Sequence, residues 1–492
     1  MKKLYFLLLL CSSVAMAAPP VIQNPSPFHI CDDNYDGVAS FDLNDKNPEI
    51  LGSLSSSQYG VNYYETFADA NNDVNSVFPL GYNNIQPVNQ VVFVRVYEFL
   101  NPSNFATTTL ELLVDAKPVA YQAPDLIAYE SPSDGSATFD LSSNDAAILN
   151  GQAGLQVGFF ITQADAESGA SQVPNTFVNF ANPQTIWVRV LNLSTGCFTI
   201  SSFNVAVLET GAIYIPDAAF KAKLISDGVD TNGDGDIQVT EAAPVTEIYV
   251  NNLNISSLVG VESFPALEIL SARDNQLTSL NVAGLNNLKV IDCSINNPGI
   301  ANFIHTGVTG LRTLRMSGNK LASLDLTGMT VLDTLDVTYN NITTLDVSPA
   351  VSLKKLECYF NFYMSSLTLN NPDLEMLNCS NNHIASLDFS GVPALKHLAC
   401  ANNFLTSLDF TGLPNLVDFV CNWNQITSIN FGDALGLTDV YCGSNQLTSL
   451  DVSMLPEMTT LNCPNNLLTT LDCSQNHHLQ YLQCYSNLLE TL

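Results

Sequence analysis

From about Val245 to the last residue, apolar and polar positions follow one fixed frame, L-x-x-L-x-C-x-x-N-x-L-x-x-L-D-V/F, closed by a short polar turn. Leu395-Lys396-His397-Leu398-Ala399-Cys400-Ala401-Asn402-Asn403 opens a representative copy. The period is 21 residues, with lengths of 22 and 23 in two early copies, and about twelve copies fit, the last cut short at Leu492. In L-x-C the Leu and Cys fall on one side of an extended segment, so each copy predicts a short parallel strand with both turned inward. The second apolar pair, Leu387 and Phe389 in one copy, predicts another short extended segment on the opposite side. One copy cannot bury its apolar face alone, so stacking is obligatory. An Asn recurs in eleven copies, from Asn275 to Asn487, where its amide can bond backbone groups of the bend and of the next coil.

Ahead of the repeats lie two related units. Asp36-Gly37-x3-Phe41-Asp42-Leu43 returns as Asp134-Gly135-x3-Phe139-Asp140-Leu141, and Ala68-Asp69-Ala70 returns as Ala164-Asp165-Ala166. Phe93-Val94-Arg95-Val96 returns as Trp187-Val188-Arg189-Val190. Short Val-, Ile-, Phe- and Tyr-rich runs broken by Asn, Gly and Pro predict strands throughout and no helix. The fold expected is therefore mainly β, with β-sandwich modules at 22–117 and 118–210. Residues 213–244 join them to the solenoid at 245–492, and a helix through Phe220, Leu224 and Ile225, opened at Pro216, is expected to cap its raw apolar end.

The 21-residue frame resembles the bacterial leucine-rich repeat over about half of the chain. The two N-terminal units resemble the β-sandwich modules of large flavobacterial-type surface adhesins, in which one Cys precedes the Asp-rich turn and another follows Thr-Gly. Here the first module keeps only Cys31 and the second only Cys197, so the bridge that the resemblance implies within each module is missing.

Composition narrows the partner. With 47 Asp plus Glu against 16 Lys plus Arg, the chain carries a formal charge of −31. Such a surface repels phosphate backbones and anionic lipid, which argues against nucleic acid and anionic membrane surfaces as partners. Residues 1–17 read as a secretory signal peptide: Lys2 and Lys3, the apolar run Leu4 to Cys11, and Ala15-Met16-Ala17 as cleavage site. The stretch is too short for a membrane anchor, and Leu10 before Cys11 fits a lipoprotein signal poorly. The protein is expected to be secreted or at the cell surface.

The strongest chemical motif is Asp230-Thr231-Asn232-Gly233-Asp234-Gly235-Asp236-Ile237-Gln238-Val239-Thr240-Glu241. It fills the twelve-residue calcium-loop pattern, with oxygen donors at Asp230, Asn232, Asp234, Asp236 and Gln238, Gly235 at the sharp turn and Glu241 at the twelfth position. A structural Ca²⁺ is expected there. Asp32-Asp33-Asn34-Tyr35-Asp36-Gly37 repeats only the first half, which leaves a weak cation site or a plain turn. The cysteines at 358, 379, 400, 421, 442, 463 and 484 recur every 21 residues, a spacing that predicts buried reduced thiols rather than bridges or a metal array. An outward Asp column (Asp325, Asp346, Asp388, Asp409, Asp451, Asp472) predicts a solvated face.

Aromatics gather where the repeat is irregular. Tyr359, Phe360, Phe362 and Tyr363 surround Asn361 in a copy with one extra residue, Tyr339 lies one copy earlier, and Trp423 and Tyr441 lie further on at or near the same variable positions. Outward rings on a strand face suit a protein hot spot or sugar stacking. No hydrolase, phosphate-loop or zinc-protease signature occurs. The leading expectation is a non-enzymatic, adhesin-like interaction protein that presents the repeats to a protein or cell-surface partner. A glycan-binding accessory protein and the binding portion of a truncated exported enzyme are the alternatives.

Overall fold

The computed structural model describes residues 18–130 and 134–490; the proposed signal segment at 1–17, and Pro132 and Ser133 of the second module, lie outside the described residues. The protein is mainly β and divides into two compact units, one ending at Val207 and one starting at Leu208.

The first unit contains two versions of one module. In the first, β1 (Phe28–Asp32), β6 (Asn101–Ala116), β5 (Asn89–Glu98) and β3 (Tyr59–Tyr64) form a four-stranded sheet in that order. β1 runs parallel to β6 and the other pairs are antiparallel. A two-stranded sheet of β2 (Ser40–Phe41) and β4 (Tyr82–Asn83) shares a core with it, in which Phe41, Tyr63, Val94 and Leu110 are buried. The second module repeats the order with β7 (Leu126–Glu130), β12 (Phe198–Glu209), β11 (Gln184–Asn192) and β9 (Leu155–Phe160), and its two-stranded sheet pairs β8 (Thr138–Asp140) with β10 (Thr176–Val178).

Each module also holds two short helices, which corrects the expectation of strands alone. α1 (Asn47–Leu51) and α2 (Phe67–Asn72) in the first module match α3 (Asp145–Leu149) and α4 (Gln163–Ser168) in the second. Five or six residues are too few to show a helical period, and the available signal was the cap. Thr66 and Thr162 each accept the backbone N–H three residues on, at 3.1 Å. The repeated Val-Arg-Val closes the other end: Arg95 donates to the carbonyls of Ala70 and Asn71, and Arg189 to those of Ala166 and Glu167. Their guanidinium groups lie 3.4 and 3.5 Å from the ring centres of Phe105 and Phe198.

The two lone cysteines find each other. Cys31, on β1, and Cys197, just before β12, are 166 residues apart in sequence and joined by a disulfide with Cα atoms 5.6 Å apart. The bridge missing within each module is replaced by one between them.

In the second unit α5 (Ala218–Ser226) buries Phe220 and Leu224 at the start of the solenoid core. Asp217 caps it, accepting from Ala219 and Phe220, and its other oxygen accepts from Ser256 and Ser257 of the first coil. Three-residue strands from Glu247–Tyr249 to Tyr481–Gln483 then form a twelve-stranded parallel sheet, each strand pairing with those one coil away. The second apolar pair of some coils makes short parallel pairs of its own, such as Ser407–Asp409 with Ser428–Asn430.

Two side-chain columns hold the coils. The Asn amides do form a ladder, but it reaches back to the preceding coil rather than on to the next. Asn403 accepts from the Ile384 N–H at 3.0 Å and donates to the carbonyls of Cys379 (3.0 Å) and Cys400 (3.2 Å), and other copies repeat this pattern. The Asp column is more than a solvated face: each of its six members accepts the backbone N–H two residues on, closing the turn after the second strand.

Candidate functional site

The residue two places after the Cys slot adopts a left-handed backbone in every coil of the sheet. Its N–H is thereby directed at the next coil, as Trp423 N donates to Gly443 O and Tyr339 N to Tyr359 O, both at 3.1 Å. Side chains that tolerate this conformation occupy most copies: Asn252, Asn381, Asn402 and Asn465, with Asp274, Gly318, Ser444 and Ser486. Four copies break the rule. Tyr339 (φ +53°), Phe360 (φ +57°), Trp423 (φ +60°) and Ile295 (φ +57°) place bulky side chains where each costs about 1 kcal/mol or more relative to Asn or Gly.

Three of those four are rings, and two of them meet. Tyr339 and Phe360 occupy the same column on adjacent coils and stack with centroids 4.5 Å apart at 26°. Tyr359 packs edge-on against both, at 5.9 and 5.6 Å, and Phe362 lies 5.5 Å from Phe360. Tyr339 and Tyr359 thus lie near one another on adjacent coils, although the residue one repeat on from Tyr339 is Phe360. Burial, then the carboxylates of Glu357 and Asp336, push the Tyr359 phenol above its ordinary range, so it stays a neutral donor. Such ring pairs contribute about 0.5–1.5 kcal/mol each when well packed. That is comparable to the backbone cost, so the ring pairing, apart from the apolar area it buries, adds little net stability to the coil.

The extra residue of this copy explains why the cluster stands out. Met364, three places after Asn361, fills the buried slot that Ile342 fills two places after Asn340. Asn382 accordingly accepts from the Asn361 N–H instead of from a residue two places further on. Phe362 and Tyr363 are extruded, with 53% and 68% of their surface exposed.

Tyr363, Trp423 and Tyr441 are not drawn into the cluster by any ring contact among the described residues. Trp423 stands three coils beyond Phe360, roughly 14 Å at ~4.8 Å per strand, and is 67% exposed. Ile295 and the His383–Phe404 pair, 5.0 Å apart, were missed in the sequence. The signal for Ile295 was present: its position holds Asn, Asp, Gly or Ser in most copies.

Six of the seven thiols of the column are buried as expected; Cys484, on the last coil, is free but only half-buried. Cys358, Cys379, Cys400, Cys421, Cys442 and Cys463 are buried and free, sharing one inward column with Met316 and Val337. Burial pushes the Cys379 thiol up to about 12, which leaves it protonated and unreactive.

The loop at 230–241 is held by its own hydrogen bonds. Asp230 accepts from the N–H groups of Gly233 and Gly235, Asn232 from Asp234, and Asp234 from Asp236. These bonds wrap the backbone around the donor atoms, with Gly235 at φ +86° and Ile237 buried as the anchor. Glu241 accepts from the backbone of Thr231, Asn232 and Gln238 and caps α6 (Val239–Ala242); the Gln238 N–H first, then the Thr231 hydroxyl, hold its carboxyl below the ordinary range. Lys221 pairs with Asp236 at 2.5 Å. Among the described residues no three acidic, His or Cys side chains converge as a ready-made metal cage, so a cation there would have to draw these oxygens together. In the first module Asp32 accepts from Asn34, Tyr35 and Gly37, the pattern of a self-sufficient turn.

This geometry is that of a leucine-rich-repeat solenoid with a cysteine column, and known proteins agree with it. Residues 27–118 and 125–211 match the Flavobacterium inter-domain disulphide bond domain, in keeping with the Cys31–Cys197 bridge. The functional domain of InlJ from Listeria monocytogenes, described as including a cysteine ladder, is 31% identical over 56% of this chain, with a TM-score of 0.52. This chain spans about three fifths (61%) of that one. Weaker likenesses include a leucine-rich-repeat protein of Leptospira interrogans (23% identity, 51% of this chain and 69% of that one, TM-score 0.46). An internalin (inlF) from Listeria monocytogenes is 21% identical, covering 56% of this chain and 91% of that one at a TM-score of 0.40. No curated protein sequence matches the chain.

Proposed function

We propose that this chain is an exported or surface-displayed, non-enzymatic bacterial interaction protein. In this reading the aromatic surface of Tyr339, Tyr359, Phe360 and Phe362 binds a protein partner. One observation carries it: bulky rings occupy a left-handed column that neighbouring coils fill with Asn, Ser or Gly, where they add little to folding. The likeness to InlJ and the export pattern at 1–17 support the class and the compartment. The test is to probe an array of extracellular proteins and a glycan array with the purified chain and with the Tyr339→Asn/Phe360→Asn variant. A protein signal lost in the variant supports the reading. A signal on glycans alone, or one indifferent to the variant, overturns it.

In the same reading the loop at 230–241 takes a structural Ca²⁺, with oxygens from Asp230, Asn232, Asp234, Asp236, Gln238 and Glu241. The support is the donor at each coordinating position and the inward wrap of the backbone. Chelator should then lower the melting temperature of the wild type, and Asp230→Ala or Glu241→Gln should abolish that difference. A wild-type melt indifferent to chelator removes the metal from the account.

A further inference from the structure

The proposed surface has a second half, and its charge identifies the kind of partner. Residues 397–492 contain eight Asp and Glu and not one Lys or Arg, whereas residues 245–396 contain eight Lys and Arg. The sheet face therefore runs from the aromatic cluster into coils with no fixed positive charge. On these coils Asp418 and Asp439 are direct register partners on neighbouring strands. Like charges in that relation oppose folding. Unlike Asp409 and Asp451, which close turns of the frame, these two bond side chains among the described residues: Asp418 is bonded to His397 Nδ1 at 2.5 Å, and Asp439 accepts from the Thr438 hydroxyl at 2.7 Å. Tyr441 follows Asp439 on the same strand and face, and Trp423 stands exposed at the edge in its unfavourable backbone conformation.

Resting on the interaction reading above, we infer that this sheet face, from Tyr339 and Phe360 to Trp423 and Tyr441, docks an extended segment of a partner protein that carries Lys or Arg. The rings at the cluster take its apolar side chains. Asp418 and Asp439 take its cations, and the indole of Trp423 offers a further cation surface. Asp418 and Trp423 lie five residues apart in one coil, a span of at most roughly 16 Å, so one short segment reaches both.

Fluorescence anisotropy of the full chain with labelled deca-arginine and deca-glutamate at low salt tests the inference. Deca-arginine should bind and deca-glutamate should not. Asp418→Asn/Asp439→Asn should weaken deca-arginine about tenfold, the loss of two solvent-screened charged contacts. Asp451→Asn/Asp472→Asn removes the same charge from the turn column, where Asn retains the turn acceptor, and should leave affinity within about twofold. Equal weakening by both pairs would show unspecific attraction and overturn the inference, as would failure of deca-arginine to bind. In either event a partner signal still lost in Tyr339→Asn/Phe360→Asn would leave the aromatic surface standing with an uncharged occupant.

Discussion

The two units of this chain use the same residue in opposite ways. In the module pair, Cys31 and Cys197 are oxidised and tie one module to the other. In the solenoid, the thiols stacked on seven successive coils from Cys358 to Cys484 stay free, because in-register side chains on parallel strands point alike and fit bridge geometry badly. The lesson is that a repeat stabilises itself by neighbour-to-neighbour bonding and packing. A pair of small modules, each with a modest core, gains more from a covalent link.

This contrast can be broken experimentally. The largest effect should come from the frame of the solenoid. Asn403→Ala strands the Ile384 N–H and the carbonyls of Cys379 and Cys400 in a buried site, which should cost about 4 kcal/mol in denaturant unfolding of the solenoid. Next, Cys31→Ser/Cys197→Ser should lower the stability of the module pair by about 3 kcal/mol while the solenoid transition stays put. Loss of solenoid stability in that variant would mean the units are not independent. The smallest effect should be Cys400→Val, at under about 1.5 kcal/mol, because Val337 already fills the same slot three coils earlier. Native thiol counting should leave the buried column unlabelled, and disulfides between cysteines 21 residues apart would contradict the whole comparison.

What was legible in the sequence follows the same division. The solenoid declared itself because a 21-residue period repeats its Leu, Cys and Asn at every turn, and the structure places them inward as expected. The module helices were hidden by their length, although Thr66-x-x-Asp69 and Thr162-x-x-Asp165 were cap signals available in advance. The Cys31–Cys197 pairing spans 166 residues and leaves no local mark in the sequence. The aromatic cluster was visible as composition. Its physical peculiarity, the left-handed column, required the copies to be aligned and the Asn and Gly at that one position to be read as backbone demands.

The central claim is that the rings at 339 and 360 are held for binding rather than for folding. The direct test is Tyr339→Asn/Phe360→Asn, measured together by denaturant unfolding and by binding to the partner found on the array. Asn relieves two strained residues, worth about 1 kcal/mol each, and gives up ring contacts of similar total size. The account predicts solenoid stability within about 1 kcal/mol of wild type, or higher, with binding lost. A variant that unfolds about 3 kcal/mol more easily and still binds its partner would make the rings core and contradict the account.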